Sequence, residues 1–154
     1  MITTMVGNYP KVAERAYGTK LKWQRQELSV EALEEAARQA VRAVIQEQEE
    51  AGLDVLTDGQ IRWQDLLRLL AQGLDGFEVN GLERLFNNNV YYRKPILRKA
   101  PARKRPILLE EYRFAARCTR KPMKAVLPGP YTFAVMSEDR HFKSVRKLAL
   151  KLAE

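Results

Sequence analysis

Ala51-Gly52-Leu53-Asp54-Val55-Leu56-Thr57-Asp58-Gly59-Gln60 reads as a helix end, a short apolar strand and a polar loop in one continuous stretch. Gly52 suits the left-handed residue that closes a helix, because it carries no Cβ. Leu53, Val55 and Leu56 make the apolar run of a strand buried on both faces. Thr57, Asp58, Gly59 and Gln60 then set a hydroxyl, a carboxylate, a flexible backbone and a carboxamide at the carboxyl end of that strand. Parallel sheets and barrels bind their ligands at that end. The same residues also fit a plain loop in which Asp58 caps the next helix.

Upstream, Ile2-Thr3-Thr4-Met5-Val6 is a short β-rich run closed by Gly7-Asn8-Tyr9-Pro10, which predicts a first strand and its loop. Ser29 can cap a helix over about Val30 to Ala51, where Leu33, Ala36, Ala37, Ala40, Val41, Val44 and Ile45 recur at helical spacing. Downstream, the second strand at Leu53 to Thr57 leads to a shorter helix over about Trp63 to Leu74. Phe77 to Val79 and Tyr91 to Leu97 flank the polar Asn87-Asn88-Asn89 and predict an inserted hairpin, whose later arm supplies or precedes a third strand. Pro106 can open a helix that runs to about Thr119. Lys124 to Leu127 predicts a fourth strand ending in Pro128-Gly129-Pro130-Tyr131-Thr132, and a last amphipathic helix covers about Phe142 to Glu154.

Alternating strands and helices predict an α/β fold with a parallel sheet and right-handed crossovers, in a single domain over residues 1–154. Four βα units fall short of a closed eight-stranded barrel, which takes roughly 250 residues. The last helix carries no Gly or Pro stop signal, so a missing segment or a partner is expected to complete the fold. Open strand edges and one uncovered side of the core predict a homo-oligomer or pairing with a complementary chain.

The 154 residues are 45% hydrophobic and 30% charged, an ordinary composition for a folded domain. No apolar run reaches the length of a membrane span, and Met1 to Gly7 lacks the features of a signal peptide, so a cytoplasmic location is expected. Cys118 alone cannot form an internal disulfide, and with His141 it cannot make a familiar zinc site, so no metal ligand is assigned within this chain. The net charge of +8 is uneven: Tyr91 to Arg105 holds seven bases and no acid, and Lys20, Lys22 and Arg25 lie beside Tyr17 and Trp23. Such runs serve a polyanionic ligand or nucleic acid, or simply a solvated surface. Pro95 and Pro101 oppose a DNA-reading helix, and no helix-turn-helix, zinc-finger or RNP-like motif accompanies the run, which makes nucleic acid the weaker reading.

Four stretches in the same order carry a resemblance. Thr3 to Pro10, Glu49 to Gln60, Asn89-Val90-Tyr91-Tyr92-Arg93-Lys94-Pro95 and Lys121 to Thr132 are similar to the catalytic barrel of cobalamin-independent methionine synthase, across essentially the whole chain. The resemblance implies the first half of a (β/α)8 TIM-type barrel: four βα units with an inserted hairpin, completed by a missing half or partner. It also implies methyl transfer from a 5-methyltetrahydrofolate-like donor to a thiol, homocysteine, held as a zinc-bound thiolate. A metal keeps such a sulfur deprotonated at neutral pH.

By the same resemblance, backbone N–H groups around Val6, Gly7 and Asn8 meet the amino-acid carboxylate, while Asp58 and Gln60 belong to the loop that meets its ammonium. Arg93, Lys94, Pro128, Gly129 and Pro130 are the matches for residues that approach the pterin and glutamyl tail of the donor. Asn8 replaces the usual serine, and Gln60 replaces the usual glutamate. A neutral carboxamide is a weaker partner for an ammonium than a carboxylate, which implies reduced homocysteine binding or an acceptor without an ammonium. The family's zinc ligands belong to the second half of the barrel, so zinc is expected only in the complete barrel and this chain alone is expected to be inactive. The alternative is a half-barrel with a binding or structural role and no catalysis.

Overall fold

A computed structural model describes residues 1–9, 29–63, 65–85 and 89–154. The basic stretch around Lys20, Lys22 and Arg25 lies outside the described residues. The chain is α/β and divides into two compact units, residues 1–62 with 108–126 and residues 63–107 with 127–154.

The first unit is built on helix α1, Val30–Glu50. Ser29 caps it as expected, its side chain accepting from Ala32 N–H at 3.2 Å, and Gly52 leaves the helix at φ +77. Ala40, Val41, Val44 and Ile45 form its buried stripe and pack with Leu56, Ile61 and Ala115. The expected first, second and fourth strands meet in parallel, though only as single bridges, Thr4 with Val55 and Leu56 with Met123. Thr3 carbonyl accepts from Val55 N–H at 3.1 Å, while Leu56 N–H donates to Pro122 carbonyl at 2.9 Å and Leu56 carbonyl accepts from Lys124 N–H at 3.0 Å. Asp54 binds both the N–H and the hydroxyl of Thr3, and these bonds hold its carboxyl below the usual carboxylate range. Lys124 to Leu127, read as a strand, forms no regular strand; the parallel contact sits one residue earlier, at Met123.

Helix α3, Leu109–Ala116, is shorter than the expected helix to Thr119, because the Cys118 N–H tightens onto the Ala115 carbonyl three residues back, at 2.9 Å. Cys118 therefore follows the helix rather than lying on it. Its Sγ donates to Phe114 carbonyl at 3.3 Å and the side chain packs against the core.

The second unit holds helix α2, Arg68–Gly73, and a sheet of order β1-β2-β3. Strands β1, Leu74–Arg84, and β2, Tyr91–Arg103, form the expected hairpin, with β1 longer than expected at both ends and β2 at its carboxyl end. Cross-strand pairs between Lys94 and Glu83, Arg98 and Glu78, and Lys104 and Asp75 follow this register. Strand β3, Glu138–Asp139, joins β2 in parallel through Ile96 and Leu97. Helix α2 begins five residues after the expected Trp63, where Asp65 Oδ1 accepts from Leu67 N–H at 2.9 Å and Arg68 N–H at 2.7 Å.

Helix α4, Pro130–Val135, begins inside the segment expected to end the fourth strand. Pro130 occupies a first-turn position, where its missing N–H costs nothing and its φ is already helical. Helix α5, Val145–Ala153, starts three residues after the expected Phe142, because Asp139 gathers the N–H groups of His141, Phe142 and Ser144 into a loop. Phe133, Ala134, Leu97 and Leu148 are buried beneath these helices.

Two substitutions probe the first unit. Ser29→Ala removes the cap of α1 and is expected to cost about 1 kcal/mol. Leu56→Ala opens a cavity at a fully buried position and is expected to cost about 2 to 5 kcal/mol. Equilibrium unfolding in urea measures both, and equal losses for the two would contradict this ranking.

Candidate functional site

The loop Thr57 to Gln60 leaves the second strand with its backbone hydrogen-bonded inward. Thr57 Oγ1 accepts from Gly59 N–H at 3.2 Å, and Asp58 Oδ1 accepts from Gln60 N–H at 3.0 Å. These are two successive side-chain turns of the kind that Thr and Asp favour. Asp58 therefore turns its own loop and does not cap the following helix, a task that falls to Asp65. Gly59 adopts φ +67, and a Cβ there would lie 2.7 Å from Val44 Cγ1 and 3.0 Å from Tyr9 Cβ. Gln60 also has a left-handed backbone, φ +54, a conformation that costs a non-glycine residue about 1 kcal/mol or more. Its side chain is buried, 5% exposed.

Tyr9 ties the first loop to this one. Its N–H donates to Gly59 carbonyl at 3.0 Å, and its hydroxyl donates to Glu47 Oε2 at 2.7 Å. The Glu47 bond holds the Tyr9 phenol above its ordinary pKa. Gly7, at φ +96, and the exposed Val6 and Asn8 immediately precede this anchor. The structure thus brings the two expected acceptor loops together through Tyr9.

Asp58 also lines a cavity of about 170 Å³ with Glu34, Arg38, Val41, Arg62, Glu110, Glu111, Phe114 and Arg117. Burial pushes the Asp58 carboxyl above its ordinary value, against the opposing N–H of Gln60. Arg62 makes a two-pronged pair with Glu34, at 2.7 and 3.0 Å, which holds Glu34 below the carboxylate range.

The expected donor residues lie in the second unit. Arg93 is exposed, and its N–H donates to Asp65 Oδ2 at 3.1 Å; Lys94 is half-buried and paired with Glu83 at 3.1 Å. Pro128 is half-buried, whereas Gly129 and Pro130 are exposed at the start of α4. Tyr92 hydroxyl donates to Met136 carbonyl at 3.2 Å, joining β2 to the end of α4. No hydrogen bond links the side chains of Arg93 or Lys94 to Pro128, Gly129 or Pro130 among the described residues. The Lys94, Arg98 and Lys104 pairs neutralise part of the basic run that a polyanion would meet.

Sequence reasoning missed Gln48. It is 1% exposed and hydrogen-bonds both backbone groups of Thr57 from the last turn of α1. The signal was present: Gln48 continues the Val41, Val44, Ile45 stripe, so a polar side chain falls on the apolar face. Asp65, which joins α2 to β2, was missed as well, because the expected helix over about Trp63 to Leu74 placed it inside the helix rather than ahead of it.

The described residues do not fit a zinc site. Cys118 Sγ is engaged with the Phe114 carbonyl, and among the described residues no three His, Cys, Asp or Glu side chains form a group able to hold a metal ion. No helix among them is long and apolar enough to cross a membrane.

The family model described as the catalytic domain of cobalamin-independent synthase matches residues 1–153. The methionine synthase of Sulfolobus acidocaldarius is 33% identical over 161 residues, covering 99% of this chain and 44% of that protein. The 5-methyltetrahydropteroyltriglutamate–homocysteine methyltransferase of Thermotoga maritima is 31% identical over 153 residues, covering 98% of this chain and 21% of that protein. Among solved structures, a B12-independent methionine synthase from a Shewanella species, in complex with selenomethionine, is similar at a TM-score of 0.71 and 27% identity, over 82% of this chain and 38% of that one. A putative vitamin-B12 independent methionine synthase from Listeria monocytogenes shares the fold at a TM-score of 0.72 and 18% identity, over 99% of this chain and 46% of that one. The chain spans less than half the length of each of these proteins.

The raised pKa of Asp58 has a definite sign. The folded chain holds this proton more tightly than the unfolded chain, so the contribution to stability is full below the unfolded pKa, about 3.9, and is lost as pH rises through the folded value. Asp58→Asn keeps an oxygen for Gln60 N–H and removes the buried charge. Unfolding at pH 4 and pH 7 is expected to show the variant gaining on the parent chain at the higher pH, and a difference independent of pH would contradict the assignment.

Proposed function

Because the chain belongs to the cobalamin-independent synthase catalytic-domain family, we propose that it is the amino-terminal half of a (β/α)8 barrel that transfers a methyl group from a 5-methyltetrahydrofolate-like donor to homocysteine. Residues 1–154 act as one half-barrel domain, completed by a second half carried on a further segment, a partner chain or another copy. The hydrogen bond from Tyr9 N–H to Gly59 carbonyl carries the proposal, since it supports one amino-acid site made from two loops that are far apart in sequence.

In that site the N–H groups near Val6, Gly7 and Asn8 receive the carboxylate of the acceptor, as backbone donors in a left-handed turn do for anions. The Gln60 carboxamide oxygen receives its amino group, and Asp58 holds Gln60 in place through the backbone. Arg93, Lys94 and the Pro128-Gly129-Pro130 segment receive the donor, the bases facing its carboxylates. A zinc ion, where the complete barrel uses one, takes its ligands from the second half. The working compartment of the assembly is the cytoplasm. Gln60 also favours a second reading, a half-barrel that binds without catalysis, because a neutral amide holds an ammonium less firmly than a carboxylate does.

Supplying the second half of a relative as a separate chain tests the proposal. Methionine is expected to form from homocysteine and the methyl donor only when both halves are present, and no turnover in any such mixture would refute the catalytic reading. Gln60→Glu is expected to tighten homocysteine binding about tenfold by calorimetry, the gain of a charge-assisted over a neutral hydrogen bond. Unchanged affinity would remove Gln60 from the acceptor site.

A further inference from the structure

We propose that Gln48 is a positioning residue for the acceptor loop, its buried carboxamide standing in for a neighbouring strand at the point where the ladder runs out. Val55 and Leu56 are paired with backbone on either side, through Thr3, Pro122 and Lys124. Thr57 is the next residue, 1% exposed, and among the described residues its N–H and carbonyl find no strand partner. Gln48 satisfies both: Oε1 accepts from Thr57 N–H at 3.0 Å and Nε2 donates to Thr57 carbonyl at 2.9 Å. The second hydrogen of Nε2 goes to Val44 carbonyl at 3.0 Å, which fixes the amide plane against α1.

Only a group carrying an acceptor and a donor side by side can close this pair, and a carboxamide is such a group. The direction of the Thr57 peptide sets where Asp58, Gly59 and Gln60 go, because the loop is bonded back onto Thr57 and Asp58. The backbone of Gln48 contributes as well, its carbonyl accepting from Leu53 N–H at 3.1 Å. One residue of α1 thus holds both ends of the strand segment that precedes the loop. The consequence for ligand binding rests on the acceptor-site reading given above; the clamp itself does not.

Gln48→Glu separates positioning from general stabilisation. A protonated carboxylic acid can still accept from Thr57 N–H and donate its single O–H to the Thr57 carbonyl, giving up only the bond to the Val44 carbonyl, whereas the carboxylate offers only acceptors and sets an oxygen against the Thr57 carbonyl. The titratable groups around it are Asp58 beside Thr57, Glu47 bonded to Tyr9, Glu49 bonded to Thr119, and Lys121 bonded to the Leu53 carbonyl; all are common to the parent chain, whose own pH profile subtracts them. Hydrogen-exchange protection factors for Tyr9, Gly59 and Gln60 are measured in the ligand-free chain across pH, with Val44 and Ile45 in α1 as internal reference.

In Gln48→Glu, protection of the three loop amides is expected to approach the parent at acid pH and to fall tenfold or more once the new carboxyl ionises, while α1 stays protected. Gln48→Met, which fills similar space without either bond, is expected to lose loop protection at every pH. Loop amides that follow α1 at all pH values in Gln48→Glu would overturn the proposal, whether or not the Met variant folds. Titration with L-homocysteine then separates the two ideas: loss of affinity in step with loop protection supports both, whereas a parent chain that does not bind homocysteine, with the pH-dependent clamp intact, overturns the acceptor reading alone.

Discussion

A buried peptide group has to be hydrogen-bonded, and the end of a short parallel ladder is where that requirement is hardest to meet. In the first unit the ladder consists of little more than Thr4 with Val55 and Leu56 with Met123. Thr57 lies just past it, buried, and the carboxamide of Gln48 takes over the role of a strand. Everything assigned to the acceptor end follows from that handover. The loop turns through Thr57 and Asp58, Gly59 passes under Val44 and Tyr9 at a separation that admits no Cβ, and Tyr9 brings the first loop alongside.

Much of this was legible in the sequence where local chemistry decides the outcome. The Ser29 cap, the apolar stripe of α1 and the left-handed Gly52 are set by neighbours within one or two helical turns, and all appear as expected. The hairpin was legible as well, but its length depends on cross-strand pairs such as Arg98 with Glu78, which a single strand does not display. The starts of α2 and α5 moved because Asp65 and Asp139 gather N–H groups into preceding turns. Pro130 falls in the segment expected to end the fourth strand, although a proline suits the first turn of a helix equally well. Gln48 could be seen as a polar intruder on an apolar face. Its partner Thr57 could not, since that pairing exists only once the strand has folded back along the helix.

The two most suggestive side chains of the loop are used differently from one another. Asp58, the obvious carboxylate, is bonded to the backbone of its own loop and held above its ordinary pKa by burial, which suits a residue that shapes the site. Gln60, neutral and buried on a left-handed backbone, is the one we propose for the acceptor. The chain belongs to the cobalamin-independent synthase catalytic-domain family, and the roles proposed for its residues concern the ends of the acceptor and donor, since no group of His, Cys, Asp or Glu able to hold a metal ion occurs among the described residues.

The most direct measurement is an amide chemical-shift titration of the isotopically labelled chain with L-homocysteine. The account predicts shifts concentrated at Gly7, Asn8, Tyr9, Gly59 and Gln60, with the core of α1 unmoved. Shifts confined to other segments, or none at saturating homocysteine, would contradict it.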